Sequence, residues 1–168
     1  MKGIFSGYSF EDEVAEKLRW IGNGVLLKNV FLYSYNLRRY TEIDMIYVTP
    51  YKLYCIECKS FRTSITGDMG DVVWTGKSGR YITRVYNPYF QNLEHIRCIK
   101  RSLREFDCYT NNIENIIVVR DSCKISSNYS NVFPLKRFVS KVRREMVQHR
   151  ETTLDVNRVK MSLLNLQE

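Results

Sequence analysis

Residues 41–59 read TEIDMIYVTPYKLYCIECK, two largely apolar runs separated by a proline-containing turn. Pro50 presets φ and cannot donate to a strand ladder, so the segment predicts a strand, a turn and a second strand. Side chains alternate between the two faces of a strand, which places Glu57 and Lys59 on one side and Cys58 on the other. The hairpin would bring Asp44 next to Glu57, so that two carboxylates lie beside a cation.

A helix is predicted before this hairpin, from Ser9 to about Ile21, with Ser9 as its N-cap and Asp12 at its third position. Its buried stripe repeats at helical spacing and consists of Phe10, Val14, Leu18 and Ile21. On a helical wheel Glu11 falls on the shoulder of this stripe, whereas the other acids point away or lie on the opposite shoulder. Glu11 is therefore the acid of this helix best placed to face inward.

Branched and aromatic residues predict a further strand over 25–35. Two short strands are expected over 72–74 and 81–86, on either side of a hairpin turn at residues 76–79. Asn87 as cap and Pro88 in the first turn predict a helix that runs to about residue 106. The side chains of this helix that we expect to face the core are Leu93, Ile96, Lys100, Leu103 and Phe106.

The near-continuous apolar run in residues 114–120 is typical of a strand that is covered on both faces. Two more helices follow, with apolar stripes formed by Leu135, Phe138, Val139, Val142 and Met146, and then by Val156, Val159, Leu163 and Leu166. The chain of 168 residues is long enough for one core and too short for two comfortable domains. The order of elements predicts a single-domain α/β sandwich around a mixed central β-sheet flanked by α-helices.

The protein is basic, with 26 Lys and Arg against 18 Asp and Glu and a formal net charge of +8. The excess is concentrated in clusters at Arg38-Arg39, Lys100-Arg101, Lys136-Arg137 and Arg143-Arg144, which favours a polyanionic partner. No run approaches the roughly 20 apolar residues of a membrane span. Five cysteines without framework spacing, and a start that lacks the apolar run of a signal peptide, favour a reducing, cytoplasmic location.

Two carboxylates beside a lysine suit metal-dependent phosphodiester hydrolysis, because Mg²⁺ prefers hard oxygen ligands and keeps positions open for water and phosphate. We assign Asp44, Glu57 and the backbone carbonyl of Cys58 as metal ligands, for Mg²⁺ or for Mn²⁺ in its place. Lys59 would orient or help deprotonate the attacking water and stabilise charge on the phosphorane. The basic clusters, above all Arg38, Arg39, Lys100 and Arg101, would bind the nucleic-acid backbone without sequence preference.

The chain resembles the PD-(D/E)XK nuclease superfamily and, within it, the nuclease-related domain (NERD) family. The resemblance runs from about Phe10 to Leu103 and rests on Glu11-x-x-Val14-x-x-x-Leu18, Glu42-Ile43-Asp44, Ile56-Glu57-Cys58-Lys59 and Asn87-Pro88-Tyr89-Phe90-Gln91. It implies a restriction-endonuclease-like fold, here with a core at about 9–145 and a helical extension at about 146–168. The sequence departs from the superfamily pattern at Ile43, where the signature has proline, and from many NERD sequences at Met45, where they have histidine.

The resemblance also implies roles for individual residues. Asp44 and Glu57 would bind the ion, Lys59 would serve catalysis, and Glu11 would contribute to the metal site or orient its ligands. Gln91 would line the site from the second long helix. His95, four residues after Gln91, is a candidate phosphate contact, because related exonucleases have a tyrosine there.

DNA is the partner that charge and resemblance favour, and RNA is the alternative substrate. A non-catalytic nucleic-acid-binding module of the same fold remains a second hypothesis, although its site should then have lost an acid. A homodimer would pair two sites on two strands, with the C-terminal helices as candidates for its interface. The spacing Cys55-x-x-Cys58 does not predict a zinc site, since no second pair exists and the two sulfurs would face opposite sides of a strand.

Overall fold

The computed structural model describes residues 8–126, 131–149 and 151–164, which form four helices and nine strands. In chain order these elements are α1 (Phe10–Arg19), β1 (Val25–Ser34), β2 (Arg39–Val48), β3 (Leu53–Lys59), β4 (Ser64–Thr66), β5 (Val73–Ser78), β6 (Tyr81–Tyr86), α2 (Pro88–Glu105), β7 (Ile113–Val119), β8 (Lys124–Ser126), β9 (Val132–Pro134), α3 (Leu135–Gln148) and α4 (Val156–Leu164).

A mixed sheet of five strands in the order β1-β2-β3-β7-β9 forms the centre. The strands β1, β2 and β3 pair antiparallel with one another, whereas β7 runs parallel to both β3 and β9. Met45 lies opposite Ile56, and Val48 lies opposite Leu53, so the predicted hairpin is confirmed. The parallel pairing of β3 with β7 needs a long crossover, and α2 lies within it.

The sheet is covered on both faces. Helices α1 and α3 share one apolar cluster with the side chains of β3 that include Tyr54 and Ile56. Helices α2 and α4 share a second cluster with Leu53 and Cys55 on the opposite face. The expected single-domain α/β fold, with a mixed central sheet flanked by helices, is therefore confirmed, and it is consistent with a nuclease-like fold.

The helix termini follow the predicted chemistry. Ser9 and Asp12 form a capping box at the start of α1, and Asn87 caps α2 with Pro88 in the first turn. Helix α4 falls in the region that we expected to form a C-terminal extension, and its Val159 and Leu163 are buried in the cluster that also contains residues of α2. Leu166, which we assigned to the same stripe, lies outside the described residues.

The face of α2 that points to the core differs from the prediction. Leu103 is buried as expected, but Leu93, Ile96, Lys100 and Phe106 are only half-buried. The buried face consists of Pro88, Asn92, His95, Cys98, Ile99, Ser102 and Leu103. Three of these residues are polar, so a stripe traced through apolar residues alone was rotated away from the true contact face.

A second sheet, in the order β6-β5-β4-β8, was not expected as a separate layer. The turn that we placed at residues 76–79 lies later, because Gly76 and Lys77 belong to β5 and only Gly79 adopts a positive φ, of 60°. Gly76 packs against the Phe61 ring, where an added Cβ would lie 2.1 Å from a ring carbon. In the described part of the chain, no helix is both long enough and apolar enough to cross a membrane.

Candidate active site

Asp44 lies where the regular geometry of β2 is interrupted. Ile43 and Ile46 both contact the α2 side of the sheet while Met45 contacts the α1 side, so the alternation of side chains breaks between them. On the neighbouring strand Asn29 has a positive φ of 53°, and the ladder skips Asn29 and Asp44. Asp44 is thereby directed toward β3, where its Oδ2 accepts a hydrogen bond of 2.8 Å from the backbone N–H of Cys58.

Glu57 and Lys59 lie on the same side of β3, as strand alternation predicted. Lys59 Nζ donates to Glu57 Oε1 at 2.7 Å, and the side chain of Lys59 is 17% exposed. Glu57 is almost completely buried, with a relative exposure of 2%. Its second oxygen, Oε2, is buried and has no hydrogen-bond partner within donor distance among the described residues.

Burial disfavours the charged forms of both carboxylates. Burial, with a smaller contribution from the charge of Asp44, raises the pKa of Glu57 to about 7, although Lys59 and Gln91 oppose the shift. Burial also raises the pKa of Asp44, partly offset by the Cys58 N–H. The site without a cation therefore holds more negative charge than its surroundings stabilise.

Glu11 is the acid of α1 that faces this site. Burial is the main cause of the raised pKa of Asp44 and of the Cys58 thiol, and the negative charge of Glu11 raises both further. The other acids of the helix are engaged elsewhere: Asp12 with Lys28, Glu13 with Arg120, and Glu16 with Tyr8. Glu11 is thus close enough to Asp44 to act on it electrostatically, and its part in the site stays a prediction.

Gln91 and Asn92 connect α2 to the central sheet. The Gln91 side chain faces Glu57 and favours its charged form. The next residue, Asn92, is fully buried and was missed by our sequence reasoning. Its amide nitrogen is within 3.1 Å of three acceptors, namely the Cys55 carbonyl, the Ile116 carbonyl and Asn115 Oδ1. Asn92 therefore fixes α2 against β3 and β7 beside the two carboxylates.

His95 is buried, and both of its ring nitrogens lie within hydrogen-bond distance of protein groups. Its Nδ1 lies 3.2 Å from Asn92 Oδ1, and its Nε2 lies 3.1 Å from Thr41 Oγ1. Burial, together with the smaller effect of the Lys59 charge, lowers the pKa of His95 to about 4. Since Asn92 Oδ1 is an acceptor, the proton of the neutral ring belongs on Nδ1, and Nε2 accepts from Thr41. These contacts are with protein groups, and the role of His95 as a phosphate contact stays a prediction.

We expect His95 to remain neutral, with its proton on Nδ1, down to about pH 5. The physical reason is its burial beside the Lys59 ammonium, which disfavours imidazolium. Nitrogen-15 NMR of the imidazole rings, titrated from pH 8 to pH 4, distinguishes the tautomers. A His95 signal that titrates near pH 6.5, or a ring protonated on Nε2, would contradict this assignment. His149, the other histidine, is exposed and provides the comparison in the same spectra.

The donor set fits a hard divalent cation that keeps most of its water ligands. Among the described residues, no group of three or more His, Cys, Asp or Glu side chains could hold a metal ion by itself. Mg²⁺ usually binds one or two carboxylates and completes its shell with water and phosphate. Asp44 and Glu57 supply that number, and the partnerless Oε2 of Glu57 is an available ligand atom. The Cys58 carbonyl stays a predicted third ligand, because the contact seen at Cys58 is made by its N–H.

An open groove of about 780 Å³ runs along α2 beside these residues. We call it the α2 groove; its wall includes the side chains of Arg39, Thr41, Tyr86, Phe90, Gln91, Glu94, His95 and Arg97. Of the four predicted nucleic-acid contacts, Arg39 lines this groove and Arg101 lines a neighbouring cleft. Arg38 is exposed in the β1–β2 turn, whereas Lys100 is half-buried and lines neither surface.

Comparison with known proteins identifies the family. No curated protein and no solved structure matches the chain. A family model for the nuclease-related domain (NERD) matches residues 6–120, which include α1, the β2–β3 hairpin with Asp44 and Glu57, α2 and β7. This match covers more than half of the 168 residues. The chain therefore belongs to the nuclease-related domain family.

Proposed function

We propose that the protein is a metal-dependent nuclease that hydrolyses phosphodiester bonds at Asp44, Glu57 and Lys59. The observation that carries the proposal is Glu57 Oε2, an almost completely buried carboxylate oxygen that makes no hydrogen bond among the described residues. Burying such an atom is unfavourable unless something compensates it. A divalent cation between Glu57 and Asp44 would supply that compensation and lower the pKa of both groups.

The proposed roles follow from position. Asp44 and Glu57 hold the ion, while the Cys58 N–H orients the Asp44 carboxylate and Gln91 orients that of Glu57. When bound, Mg²⁺ or Mn²⁺ would supply a Lewis acid for the scissile phosphate and a hydroxide near neutral pH. Lys59 remains 17% exposed at its side chain, so its ammonium can reach the attacking water or the phosphorane oxygens.

Glu11 adds negative charge on the α1 side of the proposed ion. Its influence on Asp44 is electrostatic, so we propose that it strengthens ion binding directly or through a water molecule. This role is the least direct of the five residues proposed for catalysis, which are Glu11, Asp44, Glu57, Lys59 and Gln91.

DNA is the proposed substrate because the net charge of +8 favours a polyanion and the family is nuclease-related. RNA remains the alternative, and a binding module without turnover is the outcome expected if the ion site is not used. A reducing, cytoplasmic location is supported by five free cysteines, of which Cys55, Cys58, Cys98 and Cys123 are buried.

The deciding experiment incubates the protein with linear, circular, branched and single-stranded DNA, and with RNA, in the presence of Mg²⁺, Mn²⁺ or EDTA. We expect Lys59→Met to lower the cleavage rate by about 100-fold or more, because it removes the cation nearest the reacting phosphate. Asp44→Asn should act at least as strongly, while its amide oxygen can still accept from the Cys58 N–H. Cleavage of the circular substrate separates endonuclease from exonuclease activity.

Two variants control for the loss of charge alone. Lys77→Met removes an exposed lysine from β5, and Asp107→Asn removes a carboxylate whose side chain is fully exposed. Both should cleave like the wild type. Cleavage that persists in EDTA, or that survives Asp44→Asn and Lys59→Met, would refute the proposed site. Binding of nucleic acid without any cleavage would instead support the binding module.

A further inference from the structure

The end of the β1–β2 hairpin exposes an aromatic cluster. Tyr33, Tyr35 and Tyr40 are 38%, 57% and 61% exposed. Tyr33 packs edge-on against the other two, with ring centroids 4.9 Å and 5.4 Å apart. These contacts hold the rings at the surface without burying them. A contiguous group of large exposed side chains on a protein surface commonly marks a binding site.

Arginines of α2 lie against this cluster. The guanidinium carbon of Arg101 is 3.4 Å from the centroid of the Tyr35 ring, and Arg97 and Arg104 line the same cleft. We call this set the tyrosine–arginine surface; its members are Tyr33, Tyr35, Tyr40, Arg97, Arg101 and Arg104. Rings and guanidinium planes side by side can stack on bases while the arginine charge contacts phosphate.

The tyrosine–arginine surface continues into the α2 groove. Glu94 and Arg97 line both, so the two depressions adjoin. The wall of the groove carries two further aromatic residues, Tyr86, which is 54% exposed, and Phe90. At its other side the groove reaches Gln91, whose side chain faces Glu57. Aromatic and cationic groups thus extend from the hairpin end to the candidate active site.

The charge along this path is positive. Its two glutamates are each paired with an arginine of the same surface, Glu94 with Arg97 at 3.0 Å and Glu105 with Arg101 at 3.1 Å. No ion pair between described residues engages Arg39 or Arg104. Arg104 donates to the Tyr109 hydroxyl at 3.3 Å and lies 4.6 Å from the centroid of that ring, so its charge is held in place without being neutralised by a carboxylate. The excess of positive charge disfavours a second copy of the chain as the occupant, because two copies would bring their positive surfaces together.

We propose that the tyrosine–arginine surface and the α2 groove together bind an unpaired strand of nucleic acid and lead it to Asp44 and Glu57. Separate exposed rings favour single strands, because bases in a duplex are already stacked on one another and are not available to side chains. A surface that reads only the duplex backbone would need cations and no aromatic residues. This inference rests on the proposed function, since it names the substrate class of the same site.

The test measures binding in EDTA, so that cleavage plays no part. Fluorescence anisotropy compares a labelled single-stranded DNA of about 20 nucleotides, the RNA of the same sequence and the blunt DNA duplex. We expect Tyr35→Ala and Tyr86→Ala each to weaken single-strand binding by about fivefold or more, which corresponds to one lost stacking contact. Their effect on duplex binding should be less than about twofold.

Tyr81→Ala is the matched control. Tyr81 is 66% exposed and has an arginine, Arg80, 5.3 Å over its ring, but it lies at the other end of β6 from Tyr86 and lines neither depression. It should bind single strands like the wild type. An equal loss in Tyr81→Ala, unchanged binding in Tyr35→Ala and Tyr86→Ala, or wild-type preference for the duplex would each overturn the inference.

The outcomes separate this inference from the proposed function. If Tyr35 and Tyr86 support single-strand binding but no substrate is cleaved, the inference stands and the nuclease proposal fails. If cleavage depends on Asp44 and Lys59 while single-strand affinity is unchanged in Tyr35→Ala and Tyr86→Ala, the nuclease proposal stands and the inference fails. The RNA arm shows whether the bound strand is DNA, RNA or either.

Discussion

The variant Glu57→Gln is expected to be more stable than the wild type at pH 8 in metal-free buffer, and to cleave about 1,000-fold more slowly. Both effects have one origin. The wild-type carboxylate is 2% exposed, and burial raises its pKa from 4.5 to about 7. Above pH 7 the folded protein must keep a buried negative charge that it does not fully stabilise, whereas glutamine has no charge to bury.

The pH dependence gives the sign of the effect. Between pH 4.5 and about 7 the folded state holds a proton on Glu57 that the unfolded state has released. The stability contributed by that proton is present below pH 4.5 and is lost as the pH rises through 7. We therefore expect the free energy of unfolding of Glu57→Gln to exceed that of the wild type by about 1–3 kcal/mol at pH 8, and the difference to disappear near pH 4.5.

Thermal and urea unfolding at pH 4.5, 6 and 8, each with EDTA and with Mg²⁺, measure this difference. Mg²⁺ should stabilise the wild type, because it binds the folded state, and should have little effect on Glu57→Gln. Glu13→Gln serves as the control: its carboxylate pairs with Arg120 at 3.6 Å and is 39% exposed, so no gain at pH 8 is expected. A variant less stable than the wild type at pH 8, or a gain that does not change with pH, would contradict the assignment.

The result would also explain why a buried acid is kept at this position. Glu57 lowers the stability of the metal-free protein and at the same time offers an unused ligand atom. Function at the expense of stability is common where a site needs buried charge. This loss of stability is confined to Glu57, because the adjacent β3 residues Ile56 and Cys58 are buried in an apolar cluster.

Periodic features of the sequence predicted most of the central fold. Strand alternation placed Glu57 and Lys59 together, and helical spacing directed Glu11 to the correct side of α1. The direction of Asp44 was not predictable in this way, because it depends on an interruption of the β1–β2 ladder at Asp44 and Asn29, and the positive φ of Asn29 leaves no periodic signal. The strands β4, β8 and β9 have three residues each, too few for a period, and β4 pairs with β8 across about sixty residues of chain.

The second long helix shows a different limit. Hydrophobic periodicity assumes that buried residues are apolar, and the contact face of α2 contains Asn92, His95 and Ser102. A polar residue can be buried when its hydrogen bonds are made, and only the fold reveals whether partners are present. The one available signal was the spacing of Asn92, His95 and Ile99, three and four residues apart, which continues into Ser102 and Leu103 as a helical face.

Asn92 is the most consequential of these residues for stability. We expect Asn92→Leu to lower the free energy of unfolding by about 2–4 kcal/mol, although leucine has a similar volume. The amide of Asn92 donates to the Cys55 and Ile116 carbonyls at 3.1 Å and 2.9 Å, and its oxygen accepts from His95. Leucine would leave these buried groups without the partner, and an unsatisfied buried group is more unfavourable than the mean hydrogen bond is favourable.

Asn112→Leu is the matched control for this change. Asn112 is exposed, and its side chain donates one hydrogen bond of 2.7 Å, to the Tyr51 carbonyl. Its replacement should lower the unfolding free energy by less than about 1 kcal/mol. Urea denaturation of the two variants and the wild type at pH 7 measures both quantities, and equal losses would show that Asn92 is not a special contact.

A second measurement connects this residue to the active site. Asn92 follows Gln91 in α2 and bonds the Cys55 carbonyl, which is two residues before Glu57 in β3. If Asn92 sets the distance between α2 and β3, Asn92→Leu should also displace Gln91 from Glu57 and weaken the stabilisation by Mg²⁺, even under conditions in which the variant is fully folded. Unchanged Mg²⁺ stabilisation in folded Asn92→Leu would show that Asn92 contributes to packing only. The position of Gln91 would then be set by other contacts of α2.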